Sequence, residues 1–96
     1  MKLIEAISNL ENIDEDNVLY VRKIEGEFRS DSDCVLLILT EEELEWDTQH
    51  VAERKCPGYD YFLEVFIIQE FLEDLKGHDG AEEKCKRIIR YAVYDA

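Results

Sequence analysis

Apolar residues recur along this chain at two different spacings, and the places where the spacing changes divide it into elements. Leu3, Ile4, Ile7 and Leu10 fall at helical intervals with Lys2, Glu5, Ser8, Asn9 and Glu11 between them, which predicts a first amphipathic helix from Lys2 to Glu11. The acidic, turn-like segment NIDEDN ends it. VLYVRKI follows, rich in β-branched and aromatic residues, then the polar connection EGEFRSDSD, then CVLLIL. Two such strands joined by a polar loop read as an antiparallel hairpin. Cys34–Leu39 is apolar at every position instead of alternating, which predicts a strand covered on both faces and therefore central in the sheet.

Thr40 and Glu43 have the spacing of a capping box, so a short helical turn is expected to start there. TQHVAERKC gives a further helical piece, stopped by Pro57 and Gly58, and residues 41–56 read equally as one helix or two. In YDYFLEVF the period is two. Tyr59, Tyr61, Leu63 and Val65 share one face and Asp60, Phe62, Glu64 and Phe66 the other, so a third strand is predicted. Ile67, Ile68, Phe71, Leu72 and Leu75 then form a helical stripe, with Gly77 where a helix end is expected. Asp79 and Glu82 resemble an N-cap pair ahead of a last helix carrying Cys85, Ile88, Ile89, Ala92 and Val93. The fold expected is α+β, a small three-stranded antiparallel sheet packed by helices, in the order α-β-β-α-β-α-α. Each fully buried Leu, Ile, Val or Phe contributes about 1.5–3 kcal/mol, so these stripes suffice to hold helices on a small sheet.

Length makes this one domain over residues 1–96, since a chain of this size withdraws roughly 60–70% of its unfolded surface from water and supports one core. The hydrophobic content of 46% is gathered into segments, as a folded chain requires. Charge changes the picture more. There are 24 acidic against 11 basic side chains, a net −13 with a pI near 4.4. Residues 1–50 hold 14 acidic and 4 basic side chains, residues 51–96 hold 10 and 7, so the negative field belongs to the N-terminal half. Such a field repels phosphate backbones and anionic lipid and draws in basic partners, which argues against direct nucleic-acid or membrane binding. The N-terminal MKLIEAISNL lacks the continuous apolar stretch of a signal peptide, and no segment approaches the ~20 apolar residues of a membrane span, so the cytoplasm is the expected location.

Catalytic and ligand-binding signatures are lacking. The acidic stretches fail as calcium loops: DSDCVLLIL puts Val35 at the third ligand position and has no glycine at the turn, and DEDNVLYVR puts Val18 and Leu19 at those places. Cys34, Cys56 and Cys85 are odd in number and dispersed, and His50 to Cys56 and His78 to Cys85 match no zinc-ligand spacing, so neither disulfide nor metal is expected. Cys34 and Cys85 sit in apolar stripes and should be buried; Cys56, beside Pro57, should be the exposed one. Glu41, Glu42 and Glu43 lie in a polar run, not in the apolar pocket that would raise a carboxyl pKa for acid-base work. The glycines form no phosphate cradle, and Lys84, Lys86, Arg87 and Arg90 are offset by Glu82 and Glu83. No enzyme and no cofactor is expected.

Binding remains. TEEELEWDTQH concentrates Glu41, Glu42, Glu43, Glu45 and Asp47 around the lone tryptophan, Trp46. An aromatic ringed by carboxylates suits a basic protein surface, and equally Leu44 and Trp46 suit packing against the sheet edge.

The helix LIEAISNL, the strand VLYV, the segment SDSDCVLLIL, the junction YFLEVFIIQEFLEDL and the last helix IIRYAVYDA together resemble a family of small acidic bacterial proteins. That family reads as the immunity proteins of polymorphic or contact-dependent growth inhibition toxin systems. Arg22 and Lys23 stand where its pattern has a proline. The resemblance implies a non-catalytic inhibitor of a basic protein toxin, a nuclease domain foremost, and the density of charge around the only tryptophan predicts Glu41–Asp47 as part of its toxin-facing surface. A DNA-mimic regulator or anti-restriction protein, or an acidic adaptor without a toxin, is the alternative.

Overall fold

The computed structural model describes residues 1–74 and 80–94. Helix α1, Leu3–Ser8, is followed by a single 3-10 turn, Leu10–Asn12, so the predicted Lys2–Glu11 helix breaks at Asn9. Strands β1, Val18–Val21, and β2, Cys34–Leu37, form the expected antiparallel hairpin. Two short helices come next, α2 over Glu41–Leu44 and α3 over Thr48–Lys55, which resolves residues 41–56 into two pieces. Strand β3, Asp60–Glu64, pairs antiparallel with β1, and α4, Val65–Asp74, and α5, Ala81–Tyr94, complete the chain. The fold is the predicted α+β arrangement with a three-stranded antiparallel sheet. Leu75 of the predicted stripe, Gly77 at the predicted helix end and Asp79 at the predicted N-cap lie outside the described residues.

The sheet order is β2-β1-β3, which corrects the central placement of Cys34–Leu39. The centre is β1, buried at all four positions, while Val35, Leu36 and Leu37 of β2 are only partly buried and Ile38 beyond it is exposed. The run is apolar because helices approach both faces of the sheet. An apolar run reports what lies above and below a strand and is silent about its lateral neighbours. Leu19 and Val21 face a core made with Leu3, Ile7 and Leu10, with Val65 and Ile68 of α4 and with Cys85 and Ile88 of α5. Val18 and Tyr20 face the other way, onto Val51, Ala52 and Cys56 of the α3 region. Gln69 ties α4 to the 3-10 turn, its side-chain N–H donating to the carbonyls of Leu10 and Ile13 at 3.1 Å each.

Two further corrections concern β3 and Cys56. The ladder between β1 and β3 slips where Leu19 pairs with Leu63 and Tyr20 with Tyr61, leaving Phe62 as the extra residue. Strict alternation therefore fails: Phe62 and Leu63 both enter the first core, Phe62 edge-to-face on Phe28 with ring centres 5.0 Å apart. Val65 and Phe66, predicted as strand, open α4 instead. Cys56 is buried, since it lies one helical turn beyond Ala52 on the sheet-facing side of α3 and its N–H donates to the Ala52 carbonyl at 2.9 Å. Cys34, Cys56 and Cys85 are free thiols; burial pushes the first and last up to about 11 and raises Cys56 as well.

Candidate interaction surface

The acidic segment begins where β2 ends. Thr40 caps α2 reciprocally: its Oγ1 accepts from the Glu43 N–H at 3.2 Å and its own N–H donates to Glu43 Oε1 at 2.9 Å. The other Glu43 oxygen meets Lys55 Nζ at 2.7 Å, joining α2 to the end of α3. Glu43 is accordingly one of only two buried polar residues among those described, with 9% of its surface exposed. The Lys55 hydrogen bond first, and the Thr40 backbone N–H second, hold its carboxyl below the usual range. Asp47 is also committed to the fold, as the N-cap of α3, where its Oδ1 accepts from the His50 N–H at 2.8 Å.

Trp46 lies between these caps. It is partly buried against the cluster that holds Tyr20 and Val51, and its ring meets His50 edge-to-face at 4.6 Å. The tryptophan thus packs on the sheet side while leaving part of its surface to solvent. Leu44, for which packing on the sheet edge was one of two equal readings, is 64% exposed. Of the six predicted partner-binding residues, Glu43 and Asp47 hold helix ends and Trp46 wedges the segment onto the sheet. Glu41, Glu42 and Glu45 are exposed and make no ion pair or side-chain hydrogen bond with any described residue. Glu41 and Glu42 do gain from the N-terminal end of α2, where negative charge is favoured. What is left is a surface of free carboxylates beside exposed Leu44.

A second acidic surface was not found from the sequence. Glu15 and Asp16 of the loop after α1 and Glu70 and Glu73 of α4 line a recess with Phe66 and Gln69, and Phe66 is 45% exposed. This is the arrangement of an aromatic among carboxylates that the sequence suggested for Trp46. The sequence reading placed Phe66 on a strand face with Asp60, Phe62 and Glu64 and so missed the recess, whose acidic residues come from two distant stretches.

A concavity of about 760 Å³ lies by β3 between Thr48, Gln49 and Ala52 on one side and Ala92 and Val93 of α5 on another. Its lining is aromatic and carries charge of both signs, Lys23 with Glu53 and Asp60, and Arg22 stands behind it. The Arg22 guanidinium sits 4.8 Å from the Tyr59 ring centre and Lys23 Nζ 5.1 Å from that of Phe28. Tyr61, also lining it, donates its hydroxyl to Glu64 and has its pKa raised, by burial first and by that bond second. Gly58, at φ 91°, passes close under Arg22, whose Nη2 would stand 3.6 Å from a side-chain carbon placed there. The residues named along this lining include no serine, cysteine or histidine. Among the described residues no three metal-ligating side chains converge, and no helix is long and apolar enough to cross a membrane.

Fold and surface together define a small acidic α+β domain with exposed carboxylates grouped on two of its surfaces. Comparison with family models, with curated proteins and with solved structures gives no match.

Proposed function

We propose that this chain is a non-catalytic immunity protein, acting in the cytoplasm, that binds and neutralises a basic protein toxin, foremost a nuclease domain. The observation that carries the reading is the set Glu41, Glu42 and Glu45, exposed and without a side-chain partner among the described residues, beside Leu44 and Trp46. Carboxylates needed only for folding would be engaged as Glu43 and Asp47 are. A nuclease holds its phosphate substrate on basic residues, so an inhibitor that presents carboxylates matches that surface, and its net charge of −13 steers the encounter. The resemblance to immunity proteins supports the same reading.

The test begins with the product of the adjacent upstream gene, expressed in cells with and without this protein. Co-expression should relieve its toxicity and the two should bind stoichiometrically. A folded variant with Glu41→Lys, Glu42→Lys and Glu45→Lys should associate at least ~10-fold more slowly at low salt, with the gap closing as salt shortens the screening length to about 3 Å near 1 M. Reversal of Glu15, Glu70 and Glu73 serves as the comparison, and the set with the larger effect marks the contact surface. A neighbouring product that is neither toxic nor bound refutes the proposal. Parental kinetics in both variants refutes the electrostatic part.

A further inference from the structure

The outer edge of β2 has few of the usual protections of an edge strand. The Arg22 N–H donates to the Asp33 carbonyl at 2.8 Å, which sets the alternation of the β1–β2 ladder: Val35 and Leu37 turn their backbone groups to β1, Cys34 and Leu36 turn theirs outward. The first outward position is occupied, because the Cys34 N–H donates to the Met1 carbonyl at 2.8 Å and Lys2 Nζ pairs with Asp33 at 2.9 Å. Beyond that clasp no described residue pairs with the backbone of Leu36, nor with that of Ile38, the next residue of the same parity. Exposed edges are ordinarily blunted by a charge, a proline, a bulge or a covering segment. Here the uncovered stretch is Leu36-Leu37-Ile38, and Ile38 is 64% exposed.

Charge stands only at the two ends. Asp31 precedes the strand, and Glu41, Glu42 and Glu45 follow it, all exposed. A second copy of this chain does not fit. Antiparallel pairing of two β2 edges would set the Asp31 end of one against the Glu41 end of the other, between molecules of charge −13 each. We propose that this edge is a strand-addition site for an extended segment of the basic partner, apolar at its centre and lysine- or arginine-rich at its ends. Main-chain hydrogen bonds to Leu36 and Ile38 would hold the segment and its flanks would meet the carboxylates. The inference rests on the reading above that the partner is basic, and it joins the free glutamates and the apolar edge into one continuous surface.

The probe is a short synthetic peptide of alternating valine and threonine between lysine pairs, added to the isotope-labelled full chain and followed by NMR with amide exchange. Binding should slow exchange at the Leu36 and Ile38 amides. A glutamate-flanked peptide, or one N-methylated along its pairing edge, should not bind. Ile38→Pro removes only an outward N–H and should weaken the lysine peptide roughly tenfold, the loss of a hydrogen bond and its edge packing. If the proline variant fails to fold, Ile38→Lys, which places a cation against the incoming flanks, carries the same expectation. Peptide contact at Glu41, Glu42 and Glu45 with unchanged Leu36 exchange overturns strand addition and leaves the basic-partner reading standing. Equal binding of lysine- and glutamate-flanked peptides overturns the basic occupant and the reading beneath it. Leu36 protection that grows with protein concentration alone makes a second copy the occupant and overturns the proposal, as does absence of binding.

Discussion

Replacing Thr40 by alanine removes one half of the reciprocal cap that starts α2. The hydroxyl accepts the Glu43 N–H at 3.2 Å, longer than the common value of about 2.9–3.0 Å. Loss of an N-cap side chain costs about 0.5–2 kcal/mol, and the long bond places this one in the lower part, about 0.5–1 kcal/mol. A domain of this size loses roughly 4–8 °C in Tm per kcal/mol, so Thr40→Ala should melt about 2–8 °C below the parent, and Thr40→Ser, which keeps the acceptor, near it. Thermal melts by circular dichroism, with urea midpoints as a second measure, read the effect. A double-mutant cycle with Glu43→Gln adds a sharper condition. Both substitutions act on one network, in which Glu43 also meets Lys55 at 2.7 Å, so their effects should not add. Parental melting of Thr40→Ala, or simple additivity in the cycle, would refute the assignment of Glu43 to the fold and return it to the free acidic surface.

Three other outcomes follow from burial and ionisation. Leu19→Asp, at a position with no exposed surface in the central strand, should abolish folding, because an unpaired buried carboxylate costs an amount comparable to the whole stability of about 5–15 kcal/mol. Leu36→Asp, on the partly buried edge, should leave a folded protein weakened by about 1–3 kcal/mol, and complete unfolding there in denaturant titrations would contradict the sheet order. For pH, the Lys55 hydrogen bond lowers Glu43 and the Lys2 hydrogen bond lowers Asp33. A carboxyl lowered on folding stabilises fully above its unfolded value, about 4.3 for Glu and 3.9 for Asp, and loses that contribution as pH falls through the folded value. Melting temperature should therefore fall with acidification below about pH 4–5, and less steeply in Glu43→Gln. An equal slope in parent and variant would show that Glu43 is not the group titrating.

The elements that periodicity and local chemistry control were legible in the sequence. The α4 stripe of Ile67, Ile68, Phe71 and Leu72, the α5 stripe of Cys85, Ile88 and Ile89 and the Thr40–Glu43 cap depend on neighbours within one or two turns, and the β1–β2 hairpin joins two runs consecutive along the chain. Tertiary structure decided what depends on distant neighbours. An apolar run shows that helices cover both faces of β2, but only the pairing of β1 with β3 makes it an edge. The slip that brings Phe62 and Leu63 into the same core is a property of the β1–β3 ladder, invisible within β3 itself. The acidic segment divides in the same way. Its charge density is written in the sequence, whereas the ion pair of Glu43 with Lys55 needs α2 to meet α3, and the recess around Phe66 needs residues 15–16 to meet α4. Carboxylates adjacent in sequence share a field, yet which of them stay free for a partner is settled by which cations and helix ends the fold brings within hydrogen-bonding distance.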